Sequence, residues 1–310
     1  MHYDYNRLLL LCDRSTNLPP LPASVYRLKE VMDNSGASAS QIAAITAADP
    51  MLCAKIIRAA NSHGAANGIA QIGTIQGAIL RLGHHAVRAI AISLNVQAIF
   101  AMKSAESLFD PLCFARHSIL VGLVARYVYA RRLKTGDLMN AISPEEVLAG
   151  AVLHDLPIGL LAYVAPEAYE SLHTHCHTQH MSVEQGFEDL YHGSLRELGG
   201  LVMETWGMPT SLTLAVRYAD KPSDSPSERE ALMAICYANA VVDKFANDAG
   251  EHTYSSWSYN VQIPDDVQAE VGLEAEEFDM VFPKLLEQVE FYLPTKLMAE
   301  PMYIKGRRVS

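Results

Sequence analysis

Apolar residues recur along the chain at spacings of three, four and seven positions. Val25, Leu28, Val31 and Met32 form one such set; Ile75, Ala78, Ile79 and Leu82 form a second; Val87, Ile90, Ala91 and Leu94 form a third. This period puts each set on one stripe of an α-helix. The pattern continues with Val121, Val124 and Val128, with Val147, Ala151 and His154, with Leu195, Leu198 and Val202, with Leu232, Ile235 and Cys236, and with Phe278, Val281 and Leu285. Strand-like alternation is nearly absent, so the pattern predicts an all-α, multi-helical fold.

The breaks between these sets are readable as well. Asp49-Pro50 predicts a helix start, because the carboxylate accepts from free backbone N–H groups and proline suits the first helical position. Asn61-Ser62-His63-Gly64 ends that helix, and Leu82-Gly83 closes another. Gly207 and Pro209 do the same after Trp206. A charged stretch from Lys103 to Asp110 and polar stretches over 220–229 and 248–265 divide the chain. The expected organisation is an N-terminal helical part over 1–105, a second helical part over 106–247, and a loop with a C-terminal helix over 248–310.

With 310 residues, half of them hydrophobic, the chain has enough apolar material for a large core. Five cysteines without a CxxC pair indicate neither a disulfide framework nor a zinc knuckle, and point to a reducing, cytoplasmic setting. The run Leu8 to Leu11 is too short for a signal peptide, and other apolar stretches meet charges before they could span a bilayer. No membrane association is expected. Lys+Arg 24 against Asp+Glu 35 gives a net charge of −11, which argues against nucleic acid as a partner. The terminal cluster Lys305, Arg307 and Arg308 reads as a solvated tail.

Several short motifs appear in a fixed order. Leu18-Pro19-Pro20-Leu21-Pro22 is followed by Asp49-Pro50-Met51-Leu52, by Arg58-Ala59-Ala60-Asn61-Ser62, and by Ile75 to Ala78 with Leu82-Gly83. The second half adds Phe114-Ala115-Arg116-His117-Ser118, Leu153-His154-Asp155, Glu197-Leu198-Gly199-Gly200, Trp206-Gly207-Met208-Pro209 and Ala215-Val216-Arg217-Tyr218. In this order, over roughly residues 15–247, the chain resembles HDOD domains. The resemblance implies an N-terminal helical subdomain packed on a helical subdomain like that of metal-dependent HD phosphohydrolases. It also implies a bacterial regulatory module that signals through partners. Asp49, Pro50, Asn61, Ser62, Gly83, Trp206 and Pro209 then read as structural motif residues.

Cleaving a phosphoester at neutral pH calls for an activated water and stabilised negative charge, which in HD enzymes a metal supplies. His154-Asp155 is the adjacent pair that names the superfamily, and His117 lies where its upstream histidine would be. His154 shares a face with Val147 and Ala151, and His117 with Val121, Val124 and Val128, so both should point inward. The resemblance also marks what is missing. Leu195 stands where many relatives have histidine, Tyr218-Ala219-Asp220 where they show Tyr-His-His, and Asn239 where they have aspartate. Leu156-Pro157-Ile158 departs from the usual Ile-Gly-Lys after the His-Asp pair, although Gly159 is retained.

The expected pocket is therefore a relict one, lined by His117, His154, Asp155, Leu195, Asp220 and Asn239. No catalytic residue, cofactor or metal is expected, and any metal would fall to His117, His154 and Asp155. His173, His175, Cys176, His177 and His180 offer zinc-type donors, but the simpler reading is a polar loop leading into a helix capped by Ser182 and Gln185. His84-His85 reads as helix-junction structure. Neither a P-loop nor a Gly-x-Ser-x-Gly elbow is present. The functional expectation is a non-catalytic signalling module that binds a protein partner or a small regulatory ligand. Its rival is a metal-dependent phosphohydrolase or cyclic-dinucleotide phosphodiesterase working with a reduced ligand set.

Overall fold

The computed structural model describes residues 3–13, 56–61, 72–84, 86–87, 90, 108–134, 142–249, 263–271, 275–292, 303–304 and 307–308. Asp49, Pro50 and Ser62, and the periodic set Val25 to Met32, lie outside these residues. Twelve α-helices carry the described fold: α1 (Tyr5–Asp13), α2 (Ile75–Leu82), α3 (Pro111–Leu133), α4 (Pro144–Leu153), α5 (Leu156–Val164), α6 (Pro166–Gln179), α7 (Val183–Tyr191), α8 (Leu195–Thr205), α9 (Thr210–Tyr218), α10 (Arg229–Ala249), α11 (Asp265–Val271) and α12 (Ala275–Tyr292). Residues 56–61 are also helical. The described strands are Tyr303–Ile304 and Arg307–Arg308, which pair antiparallel, so part of the expected basic tail forms a small hairpin.

Helix boundaries follow local chemistry. Asp110 caps α3, its carboxylate accepting from the N–H groups of Leu112 at 2.9 Å and Cys113 at 3.1 Å, with Pro111 opening the helix. Ser143 and Glu146 form a reciprocal capping box at the start of α4. Trp206 ends α8, where the Gly207 N–H donates to Glu204 O and the Met208 N–H to Met203 O, the paired bonds of a Schellman closure. Pro209 supplies the carbonyl that receives the first N–H groups of α9. Gly83 closes α2 at φ 83 and ψ 163, a region closed to side-chain-bearing residues.

The His-rich segment departs from expectation. Residues 173–179 belong to α6 rather than to a loop, with His180 as the left-handed residue ending the helix. Ser182 and Gln185 form the expected capping box of α7. The C-terminal region also differs, since α11 precedes α12 where a single helix was expected.

Two apolar clusters make up the described core. The first joins Ile56, Ile75, Ile79, Val87 and Ile90 to most of the circumference of α3 and to α10, α11 and α12. The second gathers α5 to α8 with Leu8 and Cys12 of α1. α3, α4 and α9 contribute to both: Ile119, Val152 and Ala215 face the first, and Phe114, Leu153 and Val216 the second. α3 has no polar face over most of its length because the first cluster surrounds it, and Pro144–Val164, though apolar enough to cross a membrane, is mostly buried inside the fold. The α4–α5 break falls at His154-Asp155, because Pro157 has no N–H to return to the helix behind it. Close approach of α8 requires Gly199, where a Cβ would stand 2.3 Å from Pro157 Cγ.

Candidate functional site

The buried polar centre is built on the helices that face both clusters. His117 comes from the second turn of α3, while His154 and Asp155 occupy the α4–α5 break. Each is nearly inaccessible: 6% exposed for His117, 0% for His154 and 7% for Asp155. His154 Nδ1 lies 2.7 Å from Ala151 O, and an acceptor there fixes the hydrogen on Nδ1. His154 Nε2 is thereby turned to Asp155 Oδ2 at 3.3 Å, without the alignment of a hydrogen bond. His117 Nε2 stands 3.3 Å from the same oxygen. Three donor atoms thus lie within 4.8 Å of one another.

Two residues that the motifs did not single out complete the centre. Arg196, in the first turn of α8, donates from Nη2 to Asp155 Oδ1 at 3.1 Å and from Nη1 to His154 O. Its other edge grips Asp220, with Nε to Oδ2 at 2.7 Å and Nη2 to Oδ1 at 2.8 Å. Asp243 of α10 places Oδ1 3.7 Å from His117 Nδ1, so the imidazole lies between two carboxylates. Asp243 is four residues after Asn239, one helical turn along the same face. Asn239 Oδ1 is buried without a hydrogen-bond partner.

Burial pushes the Asp155 carboxyl upward, but the His154 and His117 imidazoles and the Arg196 guanidinium outweigh it and hold the group well below the usual carboxylate range. Burial likewise disfavours the Arg196 charge, yet the Asp220 and Asp155 carboxylates more than restore it. Leu195, 2% exposed, packs in the second apolar cluster, and Arg196 is the α8 side chain that reaches His154 and Asp155. Ala219 is buried and carries no donor, while Asp220 enters the site through Arg196.

The donor set fits a metal in geometry and fails in charge. Two imidazoles and a carboxylate converge, and His154 Nε2 lacks a partner, as a ligand nitrogen awaiting a cation would. The carboxylate, however, already answers to a guanidinium, and a dication beside it would face that fixed positive charge at close range. As folded, the centre is an ion cluster in which Asp155 is shared between a guanidinium and two imidazoles.

The other sequence candidates lie elsewhere. His173 and His177 stack on α6 with ring centroids 6.4 Å apart, while Cys176 is fully buried and His175 pairs with Asp189 on the surface. These donors diverge. The buried thiols of Cys12 and Cys236 are pushed up to about 12 and that of Cys176 to about 11, chiefly by burial, which leaves them unreactive. Asn61 is tied to Ile72 and Arg81, and Gly83, Trp206 and Pro209 terminate or start helices as described. Arg196 is hard to single out because a charge next to Leu195 at a helix start reads as solvated, and Asp243 because it stands one turn beyond Asn239 and belongs to none of the short motifs.

Comparison with curated protein sequences returns no match. Among solved structures, an HDOD domain protein of unknown function from Geobacter sulfurreducens superposes at TM-score 0.65 with 17% identity, over 94% of this chain and 99% of that one. A chain from Shewanella amazonensis SB2B, provisionally assigned as a phosphohydrolase, gives 0.61 at 20% identity over 94% and 97%. A Marinobacter aquaeolei VT8 chain, provisionally assigned to signal transduction, gives 0.60 at 20% identity over 89% of this chain and 58% of that one. At these identities the likeness is one of fold. The family model for the HDOD domain matches residues 18–222, which agrees with the motif order and the helical architecture. The chain belongs to the HDOD domain family.

Proposed function

We propose that this chain is a regulatory module without hydrolytic activity of its own, acting in the cytoplasm through a protein partner or a small ligand bound at its degenerate HD pocket. The observation that carries this reading is the Arg196 guanidinium bridging Asp155 and Asp220. Metal-assisted hydrolysis needs an open coordination position and an anionic ligand, and here one oxygen of the Asp155 carboxylate is already committed to the guanidinium. Leu195, Ala219 and Asn239 add no ligand of the types that the family resemblance expects there. A net charge of −11 favours a protein or small-molecule partner over nucleic acid.

The convergence of His117, His154 and Asp155 supports a second reading, a metal-dependent phosphohydrolase or cyclic-dinucleotide phosphodiesterase with a reduced ligand set. One measurement separates the two: metal content of untagged protein purified without chelator, with turnover of generic phosphodiesters and cyclic dinucleotides across added manganese, zinc and magnesium. The regulatory reading expects background turnover throughout. Stoichiometric transition metal together with turnover establishes the enzyme instead.

A further inference from the structure

Arg196 holds an unusual place for an arginine. It stands in the first turn of a helix, where the macrodipole disfavours a cation, and its side chain is only 13% exposed. A buried guanidinium persists only where carboxylates surround it. Here Asp155 takes one edge, Asp220 the other, and the His154 carbonyl a third N–H, while the Arg196 backbone N–H donates to Glu184 Oε2 at 3.2 Å. The guanidinium uses Asp155 Oδ1, leaving Oδ2 facing the two Nε2 atoms. One carboxylate is thus shared between a fixed cation and a pair of imidazoles arranged as ligands.

We infer that Arg196 is an internal counter-cation that closes the His117, His154 and Asp155 centre to divalent metal, so that the centre's metal affinity is set by this side chain and not by a lack of donors. The inference rests on the regulatory reading above and adds its physical device. A metal bound by these donors would stand close to the guanidinium, in surroundings where charges are weakly screened. Asp220 offsets part of the Arg196 charge from its half-exposed side and thereby lessens, rather than causes, the exclusion.

The test is a titration of the full chain with Co²⁺ and Zn²⁺, read by the Co²⁺ absorption bands and by competition with a chromophoric chelator. Arg196→Gln keeps an N–H donor and removes the charge; Arg196→Lys keeps the charge and loses the fork. Arg196→Gln should bind at least tenfold tighter than wild type, with nitrogen-ligand bands in the Co²⁺ spectrum, and Arg196→Lys should stay within about threefold of wild type, because a unit charge beside the donors is what matters. Adding Asp155→Asn to the Gln variant should abolish the gain. Asp220→Asn, which keeps Arg196 and removes one of its two carboxylates, should bind no better than wild type.

Wild type binding as tightly as Arg196→Gln, equal gains in the Gln and Lys variants, or a gain in Asp220→Asn would each overturn the inference. Wild-type binding can be measured even if the Gln variant does not fold. Phosphodiester turnover by the wild type would defeat the regulatory reading, whereas absence of a metal gain in a folded Gln variant of an inert protein would defeat only the role given to Arg196.

Discussion

Asn61 and Ile72 exchange two hydrogen bonds: the Asn61 side-chain amide donates to Ile72 O at 2.8 Å, and its carbonyl oxygen accepts from the Ile72 N–H at 2.7 Å. A side chain here does what a neighbouring strand would do, satisfying both backbone groups of one residue. Arg81 adds longer bonds to the Asn61 oxygen and to Ala60 O, both at 3.4 Å. Asn61→Ala removes both partners of a half-buried backbone and should cost about 1–3 kcal/mol in a urea unfolding curve. Asn61→Asp keeps the acceptor and loses the donor, and should fall between the two. If Asn61→Ala leaves stability unchanged while a partner no longer binds, Asn61 belongs to an interface instead.

His154→Ala should chiefly lower stability, by about 1–3 kcal/mol, because it removes the short Nδ1–H bond to Ala151 O, which then keeps only the longer bond from the residue 154 backbone N–H, and leaves a fully buried side-chain site empty. The same variant should leave any phosphodiester turnover at background. A fall in a measured hydrolytic rate with unchanged melting temperature contradicts this.

The acid side of the stability curve should depend on Asp155. Its folded pKa lies well below the ordinary value of 3.8, so its contribution is fully present above that value and is lost as the pH falls from there toward the folded pKa. His117, His154 and Arg196 are the groups that hold the charge. Asp155→Asn should therefore be less stable than wild type at neutral pH and lose less on acidification, the two curves converging below about pH 4. Parallel curves across the acid limb would show that the carboxylate is not depressed.

Gly83 and Gly199 resist substitution for different reasons. A Cβ at Gly83 meets no atom within 4 Å, so Gly83→Ala carries a conformational cost alone, about 1–3 kcal/mol. Asparagine should not rescue it, because ψ 163 lies outside the left-handed helical region that asparagine tolerates. Gly199→Ala instead drives a methyl into Pro157 and Val216 and should separate α8 from α5 and α9. Thermal melts of the three variants check this, with Gly83→Ala and Gly83→Asn expected to coincide.

The fold was legible in the sequence because helical periodicity repeats wherever one face is buried, as at Ile75, Ala78 and Ile79. α3 was legible through His117, Val121, Val124 and Val128, although it is buried almost all round and that period marks only one stripe of it. The His-rich part of α6 reads as loop in the sequence because polarity there reflects an exposed helix face, with Leu172 and Cys176 supplying the buried one. At the site, adjacency in sequence revealed His154 and Asp155. Arg196 was not legible, since only the approach of α8 to the α4–α5 break brings it against Asp155. A residue that completes a site from another helix leaves no spacing to read.

The sharing of α3, α4 and α9 between the two apolar clusters has a consequence for cooperativity. α4 and α9 are party walls with buried residues on both sides, and α3 joins the second cluster through Phe114 while the rest of its apolar surface packs in the first. Neither cluster can therefore loosen alone without exposing part of its neighbour, and thermal unfolding is expected as a single transition. Because His117, His154 and Asp155 sit on or next to these shared helices, a perturbation there is felt by both cores at once.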